Sequence, residues 1–419
     1  MRMHCLWPVA AALLVTACDS SPSSPVGGAP PIITALPRTL SAGEQALVSA
    51  SSSFAPALLA RVNDTRAAEN VFISPLSASM ALGMTLNGAE GGTFDEMRTA
   101  LGFGTLPRAT IIESYRALIA LLRGLDSNVD FRIANSIWYA QSFAPQIAPV
   151  FLAEAKQYFD ATSSGLDFGA PSAVTTINGW VKSSTNDKIA TIVASLPPDL
   201  VMLLVNAIYF KGDWRTAFDR SKTASAPFTL ESGSTVSVPM MRRTSAARAG
   251  TSDGRTVVEL GYGGDAFVMS IVLPRPGESV NALVASLTEG AWNAAMSSLT
   301  SGEVELFMPR FSLAWEATLN DPLRALGMQR AFVPREADFT RLSPSAGREL
   351  YISFVKQKTF VDVHEVGTEA AAVTAVGIEV VSLPLRTTVR VDRPFVFAIR
   401  ERLSGTILFM GKIVHPPAS

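Results

Sequence analysis

Hydrophobic side chains alternate with polar ones, or follow one another without interruption, in several segments that predict β-strands. These segments are FRIANSIWYA, VMLLVNAIYFKG, FVMSIVLP, GEVELFMPRFSL, LYISFVKQKTFVDV and RPFVFAIRERLSGTILFMGKIV, the last predicting two strands joined at 403–405. Ser74 and Pro75 have the order of an N-cap and a first-turn proline, and they predict a helix that ends near Gly88. Because long strands and clustered helices occur without regular βα alternation, the pattern indicates an α+β fold.

One stretch near the C-terminus, HEVGTEAAAVTAVGIEVVSLP, combines loop signals with small and apolar side chains. It fits a helix poorly, because β-branched residues accumulate toward its end and a glycine interrupts it. In an extended chain, the even-numbered side chains from Thr368 to Val380 are uncharged and share one face. Glu369 and Glu379 both fall on the other face. The stretch therefore predicts a strand that lays a charge-free face over a core.

Composition limits the class of protein. The chain has 419 residues, 48% of them hydrophobic, and a formal net charge of −1. It can bury a large core, and it lacks the positive charge that nucleic acid binding requires. No second linker follows residue 40, so we predict one large domain at 45–419 that acts as a monomer.

The N-terminus has the pattern of an export signal. In MRMHCLWPVAAALLVTAC a basic start is followed by an apolar stretch too short to span a membrane, and then by Cys18. We predict a lipoprotein-type signal peptide at 1–17 and a lipid on Cys18; cleavage near Ala17 without lipid is the alternative. The Ser/Pro/Gly-rich residues that follow predict a flexible tether at 18–44.

These features predict an exported protein. A lipid on Cys18 would anchor it to the cell envelope, on the periplasmic or cell-surface side, and without the lipid it would be extracellular. Cys5 would leave with the signal peptide, so the mature chain would have no disulfide. Its fold must then be held by core packing.

The search for catalytic or metal-binding residues is largely negative. His364 is the histidine inside the predicted domain, next to Glu365, and we expect it at the surface; His415 lies near the end of the chain. Neither occurs in a hydrolase motif. No Cys/His spacing suits a metal, and no glycine-rich loop suits a phosphate. We therefore predict no enzyme, no cofactor and no metal.

Two polar clusters have ordinary structural interpretations. The glycines of LGYGGDA, which are Gly261, Gly263 and Gly264, predict a turn between strands. Arg242, Arg243 and Arg248 form a small basic patch that suits an acidic polymer, but a solvated loop is the simpler interpretation.

Several separated motifs resemble those of one family. They are NVFISPLSAS, NGWVKSSTNDKI, VNAIYFKGDW, MPRF followed by LNDPLRALGM, and RPFVFAIRERLSGTILFMGKIVHP. In this order they resemble the serpins, inhibitors of serine and cysteine proteases, over residues 45–417. The resemblance implies mixed helices around a large central β-sheet, with an exposed reactive loop at about 365–393 that can insert as an extra strand.

The resemblance also implies a mechanism. A target serine protease, or a cysteine protease, cuts the loop and forms a covalent acyl-enzyme with it. The freed limb then enters the sheet and distorts the protease before water releases it, so inhibition is a race between insertion and deacylation. The charge-free face described above is what such a strand would bury.

The family pattern assigns roles to particular residues. The bait lies sixteen residues after the hinge glutamate, Glu365, and so falls on Val381, followed by Ser382. A small β-branched bait suits elastase-like or subtilisin-like proteases. Arg386 and Arg390 lie too far along, and we interpret them as exposed loop charge. The implied hinge comprises Glu365, Gly367, Thr368, Glu369, Ala370, Ala371 and Ala372, and the implied sheet-opening region comprises Ser74, Pro75, Asn206, Trp214 and Gln357.

Gln357 departs from the family, which usually has there a histidine that bridges the two central strands. A glutamine can still donate and accept hydrogen bonds. The alternative function is a non-inhibitory serpin-fold binding or carrier protein of the cell envelope. Such a protein would spoil the hinge with charge, proline or bulk, whereas Thr368 and the alanines at 370–372 are intact. The sequence therefore favours inhibition.

Overall fold

The computed structural model describes residues 30–368 and 386–417. Its helices are α1 Ala42–Asn63, α2 Pro75–Gly88, α3 Gly91–Ala100, α4 Arg108–Gly124, α5 Pro149–Phe159, α6 Pro171–Ser184, α7 Val280–Ser286, α8 Glu289–Ser297 and α9 Asn320–Ala325. Its strands are β1 Val71–Ile73, β2 Val129–Ala140, β3 Thr162–Leu166, β4 Met202–Asp213, β5 Ala224–Thr229, β6 Thr235–Ser252, β7 Arg255–Tyr262, β8 Phe267–Leu273, β9 Thr300–Pro309, β10 Phe311–Thr318, β11 Lys356–Val363, β12 Gly367–Thr368, β13 Thr387–Arg390, β14 Phe395–Glu401 and β15 Ile407–Ile413. The α+β prediction is confirmed.

The strands form two sheets. The six-stranded sheet has the order β10-β11-β12-β4-β2-β3. The nine-stranded sheet has the order β1-β15-β14-β8-β7-β6-β9-β13, with β5 paired to β6. Every residue of β8, β14 and β15 is buried, which explains the long apolar runs of their sequences.

Helix α2 has the predicted start and end. The Ser74 side chain accepts a hydrogen bond from the Ser77 amide, Pro75 occupies the first turn, and the helix ends at Gly88. The helix is packed against the six-stranded sheet, because the Ser77 hydroxyl donates to the Asn206 carbonyl of β4 at 3.4 Å. The serine and proline thus define where the helix starts, and the contact with β4 places it against the sheet.

The end of the predicted tether is docked on the domain. The Ile33 amide donates to the Gly264 carbonyl at 2.8 Å. Arg215 donates to the Pro30 carbonyl, and Arg402 donates to the Ile33 carbonyl, each at 2.7 Å. Helix α1 then begins at Ala42. The assignment of 30–41 to a flexible tether is thus corrected, whereas residues 1–29, with the predicted signal and Cys18, lie outside the described residues.

The interpretation of the three arginines as a solvated loop is also wrong. Arg242, Arg243 and Arg248 all lie in β6. Arg242 pairs with Glu305, Arg248 pairs with Glu259, and Arg243 is buried and donates to a backbone carbonyl. They form no basic patch, because each one is engaged within the sheet. The predicted turn at Gly263 and Gly264 does connect β7 to β8, although Gly261 belongs to β7 itself.

Candidate strand-insertion site

At the centre of the six-stranded sheet, the described residues provide only one very short strand. β12 lies between β11 and β4, but it consists of only Gly367 and Thr368. Thr368 is opposite Val363 of β11 and Gly212 of β4, and all the pairs are antiparallel. Beyond Thr368, the described residues provide no further strand between β4 and β11.

A slot continues from the end of β12. Its main cavity, of about 430 Å³, starts at the level of Ile208 and Thr359, and it is lined on one side by residues of β4 and on the other by 350–359. β4 is paired with β2, and β11 with β10, along their outer edges. Between Met202 and Ile208, the inner edge of β4 has no ladder partner in the described part of the chain. A strand of suitable length would complete both ladders.

The predicted strand that starts at Leu350 is shorter in the structure. β11 begins at Lys356, and 350–355 form no strand although they border the slot. The apolar pattern of this segment is that of a strand, but a ladder needs a neighbour on at least one side. Among the described residues no strand pairs with 350–355, and the Leu319 amide donates to the Val355 carbonyl at 2.7 Å.

Thr368 is held in a buried pocket. Its side chain is 3% exposed, and its hydroxyl oxygen lies 2.6 Å from the Tyr262 hydroxyl oxygen. Burial raises the pKa of Tyr262 well above its ordinary value, so the phenol keeps its proton. The Tyr262 ring stacks on Trp214 with centroids 4.4 Å apart. Thr368 therefore points inward, on the face that the sequence predicts to be free of charge.

The turn before β12 is fixed by β4 and by the residues that follow it. The Trp214 indole N–H donates to the His364 carbonyl at 2.8 Å, and the Trp214 amide donates to the Val366 carbonyl at 2.7 Å. The carboxylate of Glu365 is buried; it accepts from the Thr223 hydroxyl at 2.8 Å and faces Arg310 at 3.6 Å. Glu365, the predicted hinge glutamate, is thus held in place by these two contacts.

Gly367 leaves no room for a side chain. A Cβ there would lie 2.3 Å from the Gly212 carbonyl oxygen and 2.6 Å from the Asp213 Cα. Only glycine allows this close approach between β12 and β4. The other hinge residues, Glu369, Ala370, Ala371 and Ala372, and the bait residues Val381 and Ser382, lie outside the described residues.

Gln357 connects β11 to the helix below. Its side-chain oxygen accepts from the Ser74 amide at 3.0 Å, and its side-chain nitrogen donates to the Ser74 carbonyl at 2.7 Å. Asn206, on the other side of the slot, donates instead to the Asn135 side chain of β2 at 2.8 Å. The glutamine therefore uses both of its polar groups on the start of α2.

The far limb of the loop is anchored in the nine-stranded sheet. β13 pairs in parallel with β9. Arg386 contacts Glu303 at 3.1 Å, and the Arg390 guanidinium lies 4.0 Å from the centre of the Phe307 ring. Both arginines are exposed, as predicted, and Arg386 precedes the strand, whereas Arg390 belongs to β13 rather than to a loop. The chain between Thr368 and Arg386 is held at both ends.

The structure changes the interpretation of two residues, His364 and Tyr262. His364 is 6% exposed, so the expectation of a surface histidine is wrong. Tyr262 was not predicted as part of the site, because its sequence LGYGGDA indicated only a turn.

Within the described residues, no three His, Cys, Asp or Glu side chains are grouped to bind a metal, and no helix is long and apolar enough to cross a membrane.

Comparison with known proteins identifies the family. The family model described as "Serpin (serine protease inhibitor)" matches residues 49–416. The chain belongs to the serpin family. Neuroserpin from Gallus gallus is 36% identical over 372 residues, covering 85% of this chain and 89% of its own. The leukocyte elastase inhibitor from Homo sapiens is 32% identical over 382 residues, covering 88% and 99%.

A solved serpin structure has the same fold. Human thyroxine-binding globulin in its complex with the hormone superposes with a TM-score of 0.80 at 30% identity, covering 90% of this chain and 100% of its own. The arrangement of helices and two sheets described above is thus the serpin fold.

We predict that Tyr262→Phe loosens the hinge. The Thr368 hydroxyl would lose its buried partner, which costs about 1–3 kcal/mol. Hydrogen exchange of the β12 amides should therefore become about tenfold faster, or more. Tyr115→Phe is the matched control, because it removes another buried hydroxyl contact, to Ser79, far from the hinge. Equal exchange in the two variants would contradict the assignment of Tyr262 to the hinge.

Proposed function

We propose that this serpin is a suicide-type inhibitor of serine proteases that works by cleavage and insertion of its reactive loop. The observation that carries the proposal is the slot between β4 and β11, which begins where Thr368 ends. Both edges of the slot accept an antiparallel strand, and the first two residues of that strand are already in place. The rest of the loop continues directly from them.

The register of β12 extends consistently along both edges. Thr368 is opposite Gly212 in β4 and opposite Val363 in β11. If both ladders continue without a bulge, Thr374 comes opposite Asn206 on one side and Gln357 on the other. The two strands thus agree on one register, and side chains of even number follow Thr368 inward. These are the uncharged side chains from Ala370 to Val380.

The anchors explain why cleavage matters. We expect the intact loop to be restrained from filling the slot, because β13 is paired with β9 and Arg386 contacts Glu303. Cleavage between Val381 and Ser382 would free only the near limb, while β14 and β15 keep the C-terminal piece buried. Residues 369–381 remain to be inserted, and at about 3.3 Å per residue they would carry the attached protease roughly 43 Å. The acyl bond to the Val381 carbonyl is what couples that movement to the protease.

The expected target follows from the bait. Val381 offers a small β-branched side chain, which fits elastase-like and subtilisin-like pockets, and a cysteine protease that accepts the same residue is a further partner. Arg386 and Arg390 would be poor trypsin baits, since both are held against β9. The similarity to a human leukocyte elastase inhibitor supports the same class.

A non-inhibitory binding or carrier role is the second candidate. Thyroxine-binding globulin shares this fold, and the slot volume of about 430 Å³ falls in the range of ligand pockets, about 300–1,000 Å³. The two functions differ in their products. An inhibitor incubated with a small panel of proteases should give a complex that survives SDS, whereas a carrier should give only cleaved chain.

The hinge separates inhibitor from substrate, so we predict that Thr368→Arg is still cut after Val381 but no longer traps the protease. An unpaired buried charge costs about 3–5 kcal/mol, so the arginine would leave the site that Thr368 occupies and insertion would lose its starting point. The stoichiometry of inhibition should rise, and the SDS-stable complex should disappear. Mass spectrometry of the denatured products should locate the cut between Val381 and Ser382.

Glu369→Arg is the matched control for this prediction. It places the same charge one residue away, on the face that remains outside after insertion, so inhibition should persist. If Thr368→Arg still inhibits stoichiometrically, insertion at the hinge is not the source of trapping. A cut after Arg386 would instead reassign the bait.

We also propose that a lipid on Cys18 anchors the domain to the cell envelope, with 18–29 as the remaining tether. Labelling of producing cells with a radioactive fatty acid should mark the wild-type protein and spare Cys18→Ser. Cys5→Ser is the control, because that residue would depart with the signal and should leave labelling unchanged. Equal labelling of the wild type and Cys18→Ser would exclude lipidation at this residue.

A further inference from the structure

The turn that leads into β12 depends on an imidazole. The His364 Nδ1 accepts a hydrogen bond from the Val366 amide at 3.2 Å, and the His364 amide donates to the Gly367 carbonyl at 3.1 Å. We call residues 364–367 the hinge turn. Side-chain contacts to the amide two residues ahead are usually made by the oxygen of asparagine or aspartate. Here a ring nitrogen takes that place.

An imidazole can accept this bond only when it is neutral. Because Nδ1 uses its lone pair on the Val366 amide, the ring proton is on Nε2. Nε2 itself has no hydrogen-bond partner among the residues that the structure describes. Protonation would place a second N–H on Nδ1, facing the Val366 N–H, and would put a charge into a buried ring. Both effects act against the hinge turn.

Charged groups approach His364 from several elements. Asp362 and Glu365 are its chain neighbours, and Arg310 and Arg220 come from other segments. Asp213 and Lys211 lie on β4, and one carboxylate oxygen of Asp213 is buried without a partner in the described residues. The acidic groups favour the imidazolium, but burial is the largest influence and lowers the pKa of His364. The held turn thus prefers the neutral ring.

We propose that His364 makes the hinge a pH-sensitive latch, which holds β12 in the sheet at neutral pH and releases it in mild acid. The direction of the pH effect follows from the pKa of His364 in the held and in the released hinge. In the released hinge the ring is solvated and titrates near its ordinary pKa of about 6.5, whereas in the held hinge its pKa is lower. The held hinge is therefore most stable at pH values above the ordinary pKa of histidine. It becomes less stable as the pH falls through the lowered pKa of His364.

Release would change how the loop is presented. With β12 held, the chain is fixed in the sheet as far as Thr368; with the hinge turn open, it is fixed only as far as the end of β11 at Val363. A longer free loop reaches a protease pocket more easily, so acid should accelerate the first attack. This consequence rests on the proposed inhibitory function, whereas the release of the hinge does not.

A fluorophore on Glu369→Cys would report the hinge directly, in the full chain with Cys5 and Cys18 replaced by serine. Its emission is followed without protease from about pH 7.5 to about pH 5, where histidine is the side chain that ordinarily titrates. We expect a reversible change, with the held-to-released ratio falling by at most about tenfold per pH unit because one proton is involved.

His364→Asn separates the latch from general acid effects. The asparagine oxygen can accept the Val366 N–H but cannot be protonated in this range, so the turn should persist and the emission should stay flat. His415→Asn removes the other histidine of the domain and should keep the wild-type response. An absent response in the wild type, or an equal response in His364→Asn, would overturn the latch. SDS-stable complex formation at neutral pH, measured in parallel, tests the inhibitory function separately.

Discussion

The structure depends on the position between β4 and β11, which Gly367 and Thr368 alone occupy among the residues that the structure describes. β4 and β11 each have a partner on the outer edge, and they share β12 at one end of the inner edge. Past Thr368 the ladder stops, and a slot of about 430 Å³ follows. Unpaired strand edges are a source of free energy, because a new strand could add main-chain hydrogen bonds on both sides and bury apolar side chains. Some residues around the slot form the first part of that strand, and others restrain the rest of the loop from inserting.

The residues that start it lie at the hinge, and contacts at both ends of the loop restrain it. Gly367 permits the close approach to β4, and the Tyr262 hydroxyl receives Thr368 in the core. At the other end of the loop, β13 and the contact between Arg386 and Glu303 restrain the intact chain from moving further. The docked segment 30–41 lies near the hinge, since Arg215, which follows Trp214, holds Pro30. The slot is thus controlled from the hinge and from the far limb of the loop.

The sequence predicted much of this arrangement, because its signals are local. The capped start of α2, the apolar strands and the inward side of Thr368 all follow from residue types and their period. Features that depend on distant partners were missed or misjudged. His364 is buried by Trp214, which is far away in sequence, and the tether-like composition of 30–41 gives no sign of its contact with Arg402. Gln357 likewise contacts Ser74, a pairing that no local pattern encodes.

If the slot accepts the cleaved loop, the protein should become more stable when it is cut. The most direct test is the melting temperature before and after one cut between Val381 and Ser382. Insertion would bury Val376, Ile378 and Val380, each contributing about 1.5–3 kcal/mol when fully buried. The nicked protein should therefore melt at a clearly higher temperature than the intact one, with both pieces retained until unfolding. A melting temperature that is unchanged or lower after the cut would show that the cleaved loop does not insert as a stabilising strand.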